Sequence, residues 1–451
     1  MRISILLTVL LCITTIASAG ETLVFAAVNV VDTDGSPVLE NQNVIISDGR
    51  IVSVSSDKLG KIPAGARVID ASNRYLMPGL AEMHAHIPPS RNRESMEEVL
   101  LLYLSQGITT IRGMLGEPGH LALRAAQTRG DIDAPRIYTS GPSLNGRSVS
   151  SAAQAVQMVE QQHAAGYDHL KLHPGLSLDE FNAVAKRAGE LQMPFVGHVS
   201  TDVGAWRAIA AGQTGIDHMD GFIAALVPKD SVAAGRAEQF FGHNIAQYAD
   251  SRHITKLATA VAEAGVWVVP TESLIVRRLN PEPAEALLAE PGMRYVSGHT
   301  RRQWQGAKNK LFDSPDYDAA RIDHFLKLRA KLILALHRAG AGLLLGSDAP
   351  QVFNVPGFSI HDELALYVQS GLSAAEALAT GTINVARYLG VAERRGQVKP
   401  GFDADLVLLE ENPLSDISHT RTVSGVMIAG RWHDREWIDA RLSTIARKYA
   451  D

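Results

Sequence analysis

The stretch Leu76-Met77-Pro78-Gly79-Leu80-Ala81-Glu82-Met83-His84-Ala85-His86 decides how this chain folds. Pro78 and Gly79 break whatever precedes them, so a fresh strand begins near Leu80 and carries a histidine pair at its C-terminal end. Side chains alternate along a strand, so His84 and His86 leave the same face roughly 7 Å apart. Two imidazoles so placed can grip one metal ion; the competing reading is a turn bearing two solvated histidines.

Downstream, about residues 77–390, short apolar runs alternate with helical stretches, as parallel βα units do. Eight runs read as strands: Leu80–His84, Ile108–Arg112, Ile137–Ser140, His169–His173, Phe195–His198, Gly215–His218, Val266–Pro270 and Leu343–Asp348. Between them lie helix-forming segments such as Ser151–Ala165, Leu178–Leu191 and Ile254–Ala264. Eight such repeats predict an α/β fold, a (β/α)8 TIM barrel with insertions.

Barrel enzymes assemble their sites where the strands end, and there the sequence places His84, His86, Lys171, His198, His218 and Asp348. A lysine within a buried strand is the most informative of these, because an unpaired ammonium there costs several kcal/mol. Burial favours the neutral amine, which can react with carbon dioxide to give a carbamate able to bridge two metals. The residues alone leave open a buried pair between Lys171 and an aspartate such as Asp202 or Asp217. His198 and His218 read either as ligands or as core histidines bonded to backbone, and Asp348 either as a ligand or as a helix cap before Pro350. His173, on the face of Lys171, is a candidate substrate contact or ligand support, and Arg112 a candidate for an anionic substrate group or a structural ion pair.

The two ends of the chain have a different texture. Val24–Val31, Asn43–Ser47, Arg50–Val54 and Val68–Ala71 alternate apolar and polar positions, with Asp48-Gly49 as a hairpin turn. Strand-like runs return at 401–408 and 423–429, so residues 20–76 and 391–451 are expected to pair into one small β-sandwich, the latter ending in a tail. Residues 1–19 read as an export signal: Arg2, an apolar run from Ile3 to Ile16, and Ala17-Ser18-Ala19 before the cut. A periplasmic or secreted protein follows, without a membrane anchor. Cys12, the only cysteine, falls inside that signal, which removes disulfides, a cysteine nucleophile and a cysteine-rich zinc site from the mature chain. With 43 basic against 48 acidic residues and no basic block, nucleic acid is not an expected partner.

The whole set resembles the amidohydrolase superfamily, specifically its binuclear members with a carboxylated lysine. It is carried by the Pro-Gly-x-x-x-x-His-x-His segment, Lys171, both later histidines, Gly346-Ser347-Asp348 and the Gly-x-x-Ala-Asp-Leu run at 401–406. Thr109-Thr110-Ile111-Arg112, His361-Asp362-Glu363-Leu364, and Gly371-Leu372-Ser373 through Ala379-Thr380 with Asn384 narrow it to the imidazolonepropionase-related and Xaa-Pro dipeptidase-like amidohydrolases. The resemblance implies two divalent ions of the zinc type: His84 and His86 on the more buried one, His198 and His218 on the more exposed one, Lys171 as a carbamate bridging both. Asp348 would ligate the buried ion and handle protons. Ser200 stands where the dipeptidase-like members commonly carry a tyrosine over the reacting carbonyl, a departure that bears on substrate.

Such a site lowers the pKa of a shared water and polarises a carbonyl, so no protein nucleophile is needed. The expected activity is hydrolysis of an amide-like C–N bond in a small-molecule or peptide-like substrate: peptidic, N-acyl amino acid or cyclic amide. Phosphotriesters or lactones are the alternative substrates, and an exported metal- or ligand-binding protein without turnover is the non-enzymatic one. The long connections 219–265 and 271–342, with Arg277, Arg278, Arg294, Tyr295, Arg301, Arg302 and Trp304, read either as a helical lid or as a packing surface of a homo-oligomer.

Overall fold

The computed structural model describes residues 22–56, 62–315 and 317–450; the expected export signal, residues 1–19, lies outside them. Strands from both chain ends form one continuous sheet. Its order runs Arg431–Asp434, Val423–Ile428, Leu406–Leu409, Tyr75–Pro78, Leu23–Val30, Leu39–Ser47 and Arg50–Ser55, with Arg67–Asp70 also on Leu23–Val30. The join between the two ends is antiparallel, Leu406 opposite Pro78 and Leu409 opposite Tyr75. The sheet curls over a core of its own that includes Phe25, Ile46, Leu76, Leu406 and Met427. The Phe25 and Trp432 rings, from strands far apart in the order, meet edge to face at 5.0 Å. Two layers therefore exist as one folded sheet rather than as two stacked ones. Asp48 and Gly49, at φ 49° and 72°, make the tight hairpin turn that this dipeptide favours.

One expectation at the C-terminus is corrected. Residues Arg435–Lys448 are a helix, not a tail. Asp434 caps it through the Trp437 amide, and Ile438, Leu442 and Ile445 bury one face. Lys448 then pairs with Glu94 and Glu98 at 2.8 and 2.7 Å, which fastens the terminus to helix Arg93–Ser105.

The middle of the chain supplies parallel strands in two arcs. Leu80–Ala85, Ile108–Gly113 and Arg136–Thr139 form one; Leu170–Leu172, Phe195–Gly197, Gly215–Asp217, Trp267–Val269 and Gly342–Leu343 form the other. A bridge between Ser140 and His169 links the arcs on one side. On the other side Met83 N–H donates to Leu345 O at 2.8 Å. The eighth strand is shorter than the predicted Leu343–Asp348, because after Leu343 the carbonyls and amides are shared among three elements: Leu344 donates to Val268, and Leu345 to Thr380. That departure from the ladder frees Ser347 and Asp348 to turn toward the strand ends. Helices cover the outside, and their ends are written locally; Ser177 and Glu180, for example, form a reciprocal capping box on Leu178–Glu190. No described helix is long and apolar enough to cross a membrane.

Candidate metal centre

The first strand ends in Met83-His84-Ala85-His86, and it is fixed there by a buried carboxylate. Glu82 accepts from the amides of His84 at 3.0 Å and Ser347 at 2.8 Å, and from the Ser347 hydroxyl at 2.5 Å. Burial pushes its pKa up to about 8. Glu82 thus ties the strand bearing the histidines to the segment bearing Asp348. The aspartate lies across that seam from both: His86 Nε2 is 2.6 Å from Asp348 Oδ1, and His84 Nε2 is 3.6 Å from the same oxygen.

His218 closes the group from the opposite arc. One ligand atom each from His84, His218 and Asp348 lies within 4.8 Å of the others. His218 and Asp348 both sit at left-handed φ, 61° and 63°. Non-glycine residues pay about 1–3 kcal/mol each for such backbone, and sites that need a side chain aimed off the end of a strand are where that strain is kept. Arg329, fully buried, holds the turn by donating to the carbonyls of His218 and Pro270 at 2.9 and 3.0 Å and to Glu272 at 2.7 Å.

His198 completes the row of rings, its centroid 4.6 Å from that of His218, which is itself 4.6 Å from His84. The outer ring nitrogens are spoken for. Asp220 accepts from His198 Nδ1 at 3.0 Å. Thr271 gives its own hydroxyl proton to Pro270 O, so it accepts from His218 Nδ1 at 2.7 Å. In both rings Nε2 is left as a bare lone pair, the arrangement by which an outer partner orients a metal-binding histidine. Burial, the main influence, brings His84 down to about 4 and His218 well below the ordinary histidine range. The imidazoles of His84 and His218 are therefore neutral, as ligands must be. Zinc bonds to nitrogen and oxygen are about 2.0–2.2 Å, so donors around one ion sit roughly 3–4 Å apart, and the 3.6 Å between His84 Nε2 and Asp348 Oδ1 fits.

Lys171 is fully buried, with Nζ 3.3 Å from Asp217 Oδ2. The same aspartate lies 3.5 Å from His84 Nδ1 and accepts from Arg112 at 2.9 Å. Burial opposes ionisation of Asp217, but the facing Lys171 and Arg112 outweigh it and hold the carboxylate well below its usual range. Burial also lowers Lys171. Thus all six residues singled out in the sequence meet in one cluster.

Two secondary candidates separate. Arg112 does not face substrate: it is buried, donating to Met83 O, the Tyr388 hydroxyl and Asp217 at 2.7, 2.9 and 2.9 Å. Its role is the structural ion pair, because all its observed partners are groups of the protein itself. His173 stays at the site, stacked on His198 at 5.0 Å and 27°. Ser200 lies in the wall beside His198, its hydroxyl accepting from the Gly175 and Leu176 amides at 3.1 Å each.

The long connections divide as well. Ile254–Glu263 and Ala319–Arg338 pack together as outer helices of the repeat. Trp304 belongs to a satellite core with Ala284, Leu287, Met293 and Phe353, and Arg277 is neutralised by Glu290 and Asp362 at 2.7 Å each. Asp220 and Thr271, at the starts of the two connections, hold the outer ring nitrogens, and from deeper in the first connection the turn at Phe240 and Phe241 lays the Phe241 ring on His198 and His218. Asp217, weighed from sequence only as a possible partner of Lys171, completes the site together with Asp220, Glu82, Thr271 and Phe241, to which sequence reasoning had assigned no role. The Asp-His-Met-Asp run at 217–220 was the available signal, an acid on either side of a strand-end histidine.

With this geometry in hand, the comparisons decide the family: a model described as Amidohydrolase family matches residues 75–433. The chain belongs to the amidohydrolase family. An imidazolonepropionase from Kosmotoga olearia is 24% identical to it, over 87% of this chain and 91% of its own length. Among solved structures, a bottromycin amidohydrolase superposes with a TM-score of 0.73 at 22% identity, covering 95% of this chain and 90% of its own. A putative prolidase from Bifidobacterium longum gives 0.68 at 24% identity, over 95% and 99%. The family is metal-dependent, and His84, His218 and Asp348 form a group suited to an ion. The amidohydrolase described here is accordingly a hydrolase acting on carbon–nitrogen bonds.

Proposed function

We propose that this amidohydrolase is an exported, binuclear enzyme that cleaves an amide-like C–N bond of a peptidic, N-acyl amino acid or cyclic amide substrate, at the mouth of a closed (β/α)8 barrel. The convergence of four histidines, Asp348 and a buried lysine carries the reading, and the hydrogen bonds across both strand seams support the closed barrel. His84 and His86 would hold the inner ion and His198 and His218 the outer one, the latter two through the Nε2 that their Nδ1 partners leave free. Once bound, two divalent ions, zinc by ligand type, would lower the pKa of a water and polarise the substrate carbonyl.

The buried lysine is better suited to a carbamate than to an ammonium. Asp217 already has Arg112 as its counter-charge, and an ammonium with three N–H groups would have one acceptor, at 3.3 Å. A neutral Lys171 Nζ would add to the carbon of CO2 and lose a proton, giving a carboxylate that would help hold both ions. Asp348, hydrogen-bonded to His86 and buried, takes a proton from the attacking water and delivers it to the departing nitrogen. The Ser200 side chain is much shorter than a tyrosine and its oxygen is anchored by two amides, so it does not extend over a reacting carbonyl as a tyrosine would, which argues against a strict dipeptidase.

A panel of blocked and free dipeptides, N-acyl amino acids and lactones tests the reaction class. Lys171→Ala tests the bridge: one or both ions should be lost, and short-chain carboxylic acids should partly restore them. Full metal content and an unchanged rate in that variant would remove the bridging role.

A further inference from the structure

Phe241 neither binds metal nor moves protons, yet its ring stacks on two residues that would. Its centroid is 4.7 Å from His218 at 29° and 6.1 Å from His198 at 20°. The backbone is bent to put it there. Phe240, Phe241 and Gly242 follow one another at φ 41°, 59° and 90°, a region that bulky residues rarely occupy singly and here occupy in succession. The surroundings enforce it: a Cβ on Gly242 would lie 2.4 Å from Ile223 Cβ, and the Arg278 guanidinium sits 4.6 Å over the Phe240 ring.

Beside this turn opens a cavity of about 720 Å³ whose wall includes His198 as well as Phe240, Phe241, Trp206, Val227 and Ile245. That volume is in the range that encloses a drug-sized ligand, far more than a glycine or acetyl group needs. Of its charged groups, Asp220 is engaged by His198, Glu238 by the Gly221 and Ala224 amides, and Arg236 and Lys256 lie 5.7 and 5.6 Å over the Tyr248 and Trp206 rings, while Asp202 and Lys229 share the wall with the apolar residues. Trp206, with the Lys256 ammonium over its ring, is 41% exposed at the cavity wall.

We propose that this cavity is the specificity pocket, that it takes amides bearing a bulky aryl or alkyl group next to the scissile bond, and that Phe241 is the specificity-determining wall between that group and the histidines. The substrate class rests on the amide-hydrolase reading; the pocket itself does not. Each methylene buried there should raise kcat/KM about fourfold, so hexanoylglycine, with four more methylenes, should exceed acetylglycine roughly 250-fold. Ala234→Trp, which fills the cavity from its wall, should cut that ratio at least tenfold.

Binding gives a readout apart from turnover. Quenching of tryptophan fluorescence by 4-phenylbutyrate, referenced to Trp206→Phe, should report a Kd at least tenfold below that of acetate, and Ala234→Trp should abolish the difference. If acylglycines are cleaved without a length preference and the two acids bind alike, the pocket proposal is overturned while the amide reading stands. If none is cleaved but phenylbutyrate still binds selectively in wild type alone, the pocket stands and the amide reading fails.

Discussion

Replacing Arg112 by Met tests whether the charge beneath the metal centre decides the state of Lys171. Arg112 is about 1% exposed and donates three hydrogen bonds, one of them to the carboxylate of Asp217. Methionine fills much of the same volume, so the main cost is the uncompensated charge; breaking a buried pair by removing one partner costs about 3–5 kcal/mol. Asp217 would then have Lys171, 3.3 Å away, as its remaining cation, and the lysine would be drawn into the ammonium form. Urea unfolding should show that loss of stability, and the carbamate resonance after equilibration with carbon-13 bicarbonate should vanish together with the bound metal. Arg112→Lys, which keeps the charge but not the three-way fork, should fall between the two. A Met variant within about 1 kcal/mol of wild type that retains its carbamate signal would refute this account of Lys171.

Other outcomes follow from the same geometry. Asp348→Asn keeps an acceptor for His86 but cannot relay a proton, so kcat should drop by about 10²–10⁴ at comparable metal content; steady-state kinetics with metal analysis would measure it. Glu363 accepts from the Glu272 and Ser273 amides at 2.9 and 2.6 Å, and burial lifts its pKa from 4.5 to about 8. Between those values the folded protein holds a proton that the unfolded chain has released, so stability declines as pH rises through that window. Glu363→Gln should flatten the decline by at most about 1.4 kcal/mol per pH unit in denaturant titrations from pH 5 to 8, and an unchanged slope would contradict it.

The sequence by itself determined the repeating βα pattern, the pairing of the two chain ends and the six side chains that the fold brings together at the candidate site. The physical reason is that these are periodic or compositional facts: strand alternation puts His84 and His86 on one face, and a lysine in Leu170-Lys171-Leu172 is anomalous wherever that strand lies. The motifs that narrowed the resemblance turn out to be scaffold. Arg112 supports Asp217, Glu363 receives two backbone amides, and Asn384 donates to Leu343 O at 3.1 Å. Only the tertiary structure decided which aspartate meets Lys171, that Glu82 spans 265 positions to reach Ser347, and that Phe241 rather than the arginines of the long insertion covers the histidines. Contacts of that kind depend on where strands end and how loops cross between them. Local pattern carries no information about either, because each partner satisfies its own segment's propensities equally well in many other places.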